Sequence, residues 1–130
     1  MSGRSIMSKI HVWLGITAHT PEEFWQYFEI NHADREAGRG ASLFDREVGI
    51  GWYDDDLIGV YHFGRAVSLE AAVDELPTLQ DTIAAVLGRC AELNIGQANA
   101  LFYYQDADLH VADTLRLYNG LRYLGVFEDS

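Results

Sequence analysis

Between Gly49 and Phe63 the sequence reads GIGWYDDDLIGVYHF, with three consecutive aspartates set between an aromatic pair and an apolar run. Leu57 to Phe63 is nearly continuous, apolar and β-prone, the pattern of a strand in the interior of a sheet. Trp52 and Tyr53 can pack, whereas Asp54, Asp55 and Asp56 cannot be buried unpaired. The stretch therefore demands a core strand reached through a charged corner at the edge of the core. Gly59, inside the run, predicts the close approach of another group to the backbone.

Other elements follow from period and capping. Lys9 to Ile16 alternates Ile10, Val12, Leu14 and Ile16 against His11, Trp13 and Gly15, which predicts a strand. Trp13 makes its second face partly apolar, so the strand should be covered on both sides. Thr20, Pro21, Glu22 and Glu23 form a helix start: a hydroxyl cap, a proline at the first position and a glutamate that completes a capping box. Phe24, Trp25, Tyr27 and Phe28 then predict an aromatic, core-anchoring face.

Asn31 to Ala41 has charge and glycine without apolar period and reads as an exposed loop. Ser42 caps a short helix over Leu43–Val48, with Phe44 and Val48 inward and Gly49 and Gly51 ending it. Ser68 caps another, with Leu69, Ala72, Val73 and Leu76 buried before Pro77 interrupts. The period resumes through Leu79, Ile83, Val86, Leu87 and Cys90, until Asn94 and Gly96 stop it. Asn99–Gln105 and Leu121–Phe127 are the third and fourth strands. Between them, Asp108 to Tyr118 reads as a short helix, while Asn119-Gly120 is equally a hairpin signal; the reading leans to the helix.

This order predicts an α/β or α+β single-domain sandwich, a mixed sheet of about four strands packed with helices, with some parallel pairing across the longer connections. A chain of 130 residues is long enough for one core. Residues 1–8 are expected to be a flexible N-terminus and 9–130 a single domain. No segment has the length or hydropathy of a membrane span or a signal peptide, so the expectation is cytoplasmic. The single cysteine, Cys90, excludes a disulfide framework and is expected to be a buried, inert thiol.

Nine basic and twenty acidic residues leave a net charge of −11 and a pI near 4.6. That sign disfavours nucleic acid and anionic membranes as partners. Ten of the twenty acids fall between residues 20 and 56. Asp34, Glu36, Asp45 and Glu47 thus extend the acidic surface begun by Asp54, Asp55 and Asp56.

Catalytic templates fail. Asp54 and Asp56 share a face of an extended chain and lack a third metal ligand, and no calcium-loop spacing is present. The five histidines, His11, His19, His32, His62 and His110, are scattered singly and read as surface or strand residues. No nucleophile elbow, Walker loop or dinucleotide fingerprint occurs. The expectation is a non-enzyme with no catalytic residues, no metal and no cofactor. An acidic, aromatic-containing surface is how a binding protein for a basic partner would look.

Several residues carry a family resemblance. Val12, Trp13 and Gly15, then Pro21, Glu22, Glu23, Phe24 and Tyr27, and above all Phe44 followed by Gly49, Ile50, Trp52, Tyr53, Asp54, Asp55 and Asp56, resemble the immunity protein 22 family. Leu121 to Phe127, with its Leu124-Gly125 step, is similar to that family's last strand, so the resemblance runs from about residue 9 to residue 128. It implies an immunity protein of bacterial polymorphic toxin systems, an inhibitor that binds a cognate toxin domain, often a nuclease, and protects the producing cell. Trp52, Tyr53, Asp54 and Asp56 are carried over as the family's characteristic positions. Mechanistically, the expectation is occlusion of a basic active or substrate-binding surface by an acidic face. Within the corner, Asp54 is expected to face inward and fix the turn, and Asp55 and Asp56 to face the partner. The competing readings are a metal-dependent enzyme using Asp54 and Asp56, and a structural accessory domain.

Overall fold

The computed structural model describes residues 9–37, 41–50 and 53–128. Along the chain run β1 (Lys9–Gly15), α1 (Pro21–Gln26), α2 (His32–Glu36), α3 (Leu43–Val48) and β2 (Ile58–Ser68). They are followed by α4 (Leu69–Val73), α5 (Gln80–Glu92), β3 (Gln97–Tyr104), β4 (Leu117–Tyr118) and β5 (Leu121–Glu128). The strands form one five-stranded sheet in the order β2-β3-β1-β5-β4. The architecture is α+β, as expected, with one strand more than the sequence suggests.

β1 lies at the centre and is buried on both faces. Ile10, Val12 and Leu14 pack with Ala72, Val73, Val86, Cys90, Leu101 and Leu124 under α4 and α5. Trp13 points the other way, into the rings of Phe24, Tyr27, Phe28, Phe44 and Phe102 under α1 and α3. Its indole stacks on Phe102, centroids 4.6 Å apart, and meets Phe44 edge-on at 5.7 Å. Such pairs add about 0.5–1.5 kcal/mol each beyond the area they bury. Cys90 is buried, and burial pushes its thiol up to about 11, as an inert core residue requires.

The expectation of some parallel pairing is overturned: every strand pair among the described residues is antiparallel. The cause is the interruption at Pro77. A single crossover helix would deliver the next strand parallel, but α4 and α5 make a there-and-back excursion that returns the chain to its starting end, so that Ser68 pairs with Gln97. β2 is also corrected from an interior to an edge strand. Its apolar residues are mostly half-buried, and the register shifts between His62 and Val67, a departure that bends an edge away from further pairing. At Gly59 a Cβ would run into the Tyr103 ring, the close approach the glycine predicts.

Capping residues act as read. Thr20 and Glu23 form the capping box of α1, Ser42 caps α3, which ends at Gly49, and Ser68 caps α4; Asp45, read as part of the acidic surface, instead completes a capping box with Ser42. Gly51 lies outside the described residues. Within Asn31–Ala41, read as a loop, Asn31 accepts the Asp34 N–H (3.1 Å) and starts α2. No α2 residue is buried, so no apolar period announces it. The 105–120 segment resolves as the hairpin. Asn119 (φ 55) and Gly120 (φ 82) form the turn between β4 and β5, which requires two positive φ values in succession. Asn119 is buried there; its amide donates to the Phe24 carbonyl (2.9 Å) and ties the hairpin to α1.

His11, expected on a surface or strand, is a strand residue buried among the rings. Its Nε2 faces the Asp106 carbonyl at 3.1 Å, which only accepts, so Nε2 carries the proton and Nδ1 accepts from the Tyr123 hydroxyl at 2.8 Å. Burial lowers its pKa from 6.5; the Asp106 carbonyl and carboxylate oppose that shift, and Lys9 and His110 reinforce it. The unfolded chain thus binds the proton more tightly than the folded one. The stability this neutral histidine contributes is complete above its unfolded pKa and is lost as pH falls through its folded pKa. Urea titrations between about pH 7 and 5 are expected to show stability falling with acidification, with the slope reduced in His11→Gln.

A candidate docking groove beside the aspartate corner

The corner between α3 and β2 is built by hydrogen bonds from its own backbone. The Asp54 carboxylate accepts the Asp56 N–H at 2.9 Å, its carbonyl accepts the Leu57 N–H at 3.0 Å, and its N–H donates to the Tyr104 hydroxyl at 2.8 Å. Asp54 therefore fixes the turn into β2, as the sequence reading expects. Asp55 and Asp56 are exposed. One carboxylate oxygen from each of the three lies within 4.8 Å of the others. They are gathered by a turn, in place of the alternating directions of an extended chain.

The remaining sequence-named residues divide. Trp52 lies outside the described residues. Tyr53, expected as a surface anchor, is 3% exposed; its hydroxyl donates to the Phe28 carbonyl (2.8 Å), its ring meets Phe44 edge-on, and burial pushes its pKa up to about 12. Asp45 is fully buried. Its two carboxylate oxygens accept the Ser42 N–H (2.8 Å) and the Ala41 N–H (3.0 Å), which uses its charge to close the start of α3. Asp34 pairs with Arg46 at 3.2 Å, and Glu36 is exposed. Glu47 accepts from the Tyr27 hydroxyl at 2.6 Å and pairs with Arg116 at 3.2 Å. Burial, then the Glu47 bond, raises the Tyr27 pKa, so its hydroxyl stays a donor. The acids of 34–56 thus do not form one continuous face: Glu47 belongs with Arg116 of the 105–116 segment, whereas Arg35 of α2 reaches Asp55 at 3.8 Å.

Beside Asp55 opens a groove of about 600 Å³ between α1 and β2. Phe28, Tyr53, Ile58 and Val60 supply its apolar surface, and Glu22, Glu29 and Asp55 supply three carboxylates. Among the described residues no lysine or arginine lines it. Trp25, on its wall, is 54% exposed, which corrects the core role expected for it. Phe24, Tyr27 and Phe28 follow the three- and four-residue spacing of the buried stripe, and Trp25, one residue on from Phe24, is rotated off that stripe by about 100°. The spacing that assigns three rings to the core is thus the signal that sets Trp25 apart. Glu22 and Glu29 carry no such signal, because only the packing of α1 against β2 brings them opposite Asp55.

The immunity protein 22 family matches residues 10–128. The chain belongs to the immunity protein 22 family. Its function is therefore immunity in the general sense that this family's description carries. No curated protein and no solved structure matches the chain. For this immunity protein, no helix among the described residues is long and apolar enough to cross a membrane.

The division between buried and exposed acids is directly measurable. Asp45→Ala leaves two buried backbone N–H groups without acceptors and is expected to cost about 2–3 kcal/mol in urea denaturation. Asp56→Ala, at an exposed carboxylate, is expected to stay within about 0.5 kcal/mol of the parent.

Proposed function

We propose that this chain, acting in the cytoplasm as a single domain over residues 9–130, neutralises a cognate toxin domain without catalysis. It does so by docking its acidic, aromatic groove and corner onto a basic active or substrate-binding surface. The observation that carries the reading is Trp25, a half-exposed tryptophan beside Glu22, Glu29 and Asp55 in a groove whose described lining includes His32 and no lysine or arginine. Tryptophan is a frequent interface anchor, and carboxylates around it steer and select a cationic partner. A net charge of −11 adds long-range attraction. A nuclease is the toxin class this chemistry suits best, since gripping phosphate requires a basic site. Asp55, Asp56 and Glu36 supply exposed carboxylates, Asp55 with Arg35 at 3.8 Å, while Asp34, Asp45 and Glu47 are held by partners within the chain.

The test uses the toxin domain encoded beside this chain's gene. Co-expression is expected to rescue cells from it. Trp25→Ala is expected to weaken binding by about tenfold or more, the scale of an interface anchor, and the association rate should fall steeply with added salt. An acidic partner, or an association rate indifferent to ionic strength, would remove the electrostatic part of the proposal.

The metal-enzyme reading rests on the Asp54–Asp56 carboxylates and is separable. Calorimetry with magnesium, manganese, calcium and zinc is expected to find no micromolar site. A clear site that disappears in Asp54→Asn would replace the inhibitor reading with the metal-dependent one.

A further inference from the structure

β2 is a sheet edge, and the phase of its pairing decides which backbone groups face outward. The Gln105 N–H donates to the Leu57 carbonyl at 3.0 Å. With Ile58 opposite Tyr104 and Gly59 opposite Tyr103, antiparallel alternation makes Gly59 and Tyr61 the residues that exchange both bonds with β3. Ile58 and Val60 therefore turn their N–H and C=O groups away from the sheet. Among the described residues no group pairs with them. The same two residues line the groove between α1 and β2, so the groove runs along an unpaired stretch of strand.

Both ends of this stretch are defined. At one end stands the aspartate corner, with Asp55 lining the groove. At the other, the His62 ring bonds the His19 carbonyl at 2.9 Å, and the register shift follows. Five residues, Ile58 to His62, are left in regular register with β3. This is enough to guide a short added strand.

We propose that the toxin domain engages this groove with an extended segment that adds as a sixth strand to the Ile58–His62 edge, carrying at least one arginine or lysine between Glu22, Glu29 and Asp55. Charge complementarity identifies the occupant: three carboxylates line the groove against His32 and, among the described residues, no lysine or arginine. Although Arg35 reaches Asp55 at 3.8 Å, no ion pair holds Glu22 or Glu29 among the described residues. Main-chain hydrogen bonds to Ile58 and Val60 supply affinity independent of side chains, and the acids with Trp25 select the basic ones. The inference rests on the groove being the docking site and adds the backbone contact that side-chain docking lacks.

Ile58→Pro tests it. Proline is tolerated at the first residue of an edge strand and where the N–H faces outward, so the ladder to β3 is retained while the outward donor is lost. In calorimetry with the neighbouring toxin domain, Ile58→Pro is expected to weaken binding by about tenfold or more, roughly one backbone hydrogen bond at an interface. Amide exchange on the unmodified chain provides a second readout that needs no variant. In the free protein the Ile58 and Val60 amides should exchange faster than those of Gly59 and Tyr61, and in the complex both should slow by at least about tenfold.

If Trp25→Ala weakens the complex while Ile58→Pro binds like the parent and the Ile58 and Val60 amides exchange as in the free protein, the added strand is overturned and the groove reading stands. No binding, or binding indifferent to Trp25 and to salt, overturns the groove reading and this inference with it.

Discussion

Trp13 is the residue on which the two halves of this molecule depend. It lies at the centre of the sheet, stacked on Phe102 and edge-on to Phe44, while its neighbours Val12 and Leu14 face the opposite core. A central strand buried on both faces needs cover from two helical layers, and the chain supplies α1 and α3 on one side and α4 and α5 on the other. The aromatic layer is the one that frames the groove. Phe24, Tyr27 and Phe28 anchor α1 over Trp13 and Phe102, and that anchoring sets α1 opposite the β2 edge, with Trp25 and its acidic neighbours along the gap.

Two groups that look like surface chemistry in the sequence serve this core. Tyr53 spans from the corner to Phe44, with its hydroxyl on the Phe28 carbonyl, so the corner is tied to the residue that ends α1's aromatic stripe. Asp45 spends its charge on the Ala41 and Ser42 amides. A carboxylate fully removed from water is stable only when its oxygens are bonded, and donors at a helix start provide that. Together with the Asp54 bonds, the Tyr53 contact ties the turn that carries the exposed acids, Asp55 and Asp56, to the core.

Much of the fold was legible because its signals are local. The capping box at Thr20, the cap at Ser42, the break at Pro77 and the alternation of β1 are each satisfied within a few residues, so sequence neighbours suffice to read them. The candidate site was legible only in part. Asp54 as the turn-fixing residue follows from a side chain bonding its own backbone two positions on. Trp25 was concealed because it adjoins three core rings, and one step along a helix reverses a side chain's fate. α2 was concealed because its local signals, the Asn31 cap with Asp34 in the first turn and Arg35 in the last, come with no buried face to mark it.

By itself the sequence determined most element types, the strand β1 covered on both faces and the acidic character, carried by composition, period and short-range capping, and its motif residues carried the resemblance to the family. Only the tertiary structure decided the order of the strands, their wholly antiparallel pairing, and which acids are buried and which exposed. It also decided that β2 is an edge with a groove beside it. These depend on contacts between residues tens of positions apart, as when Ser68 meets Gln97 or Asn119 reaches Phe24. No local pattern encodes such a meeting, because the free energy that selects it comes from burying whole faces together.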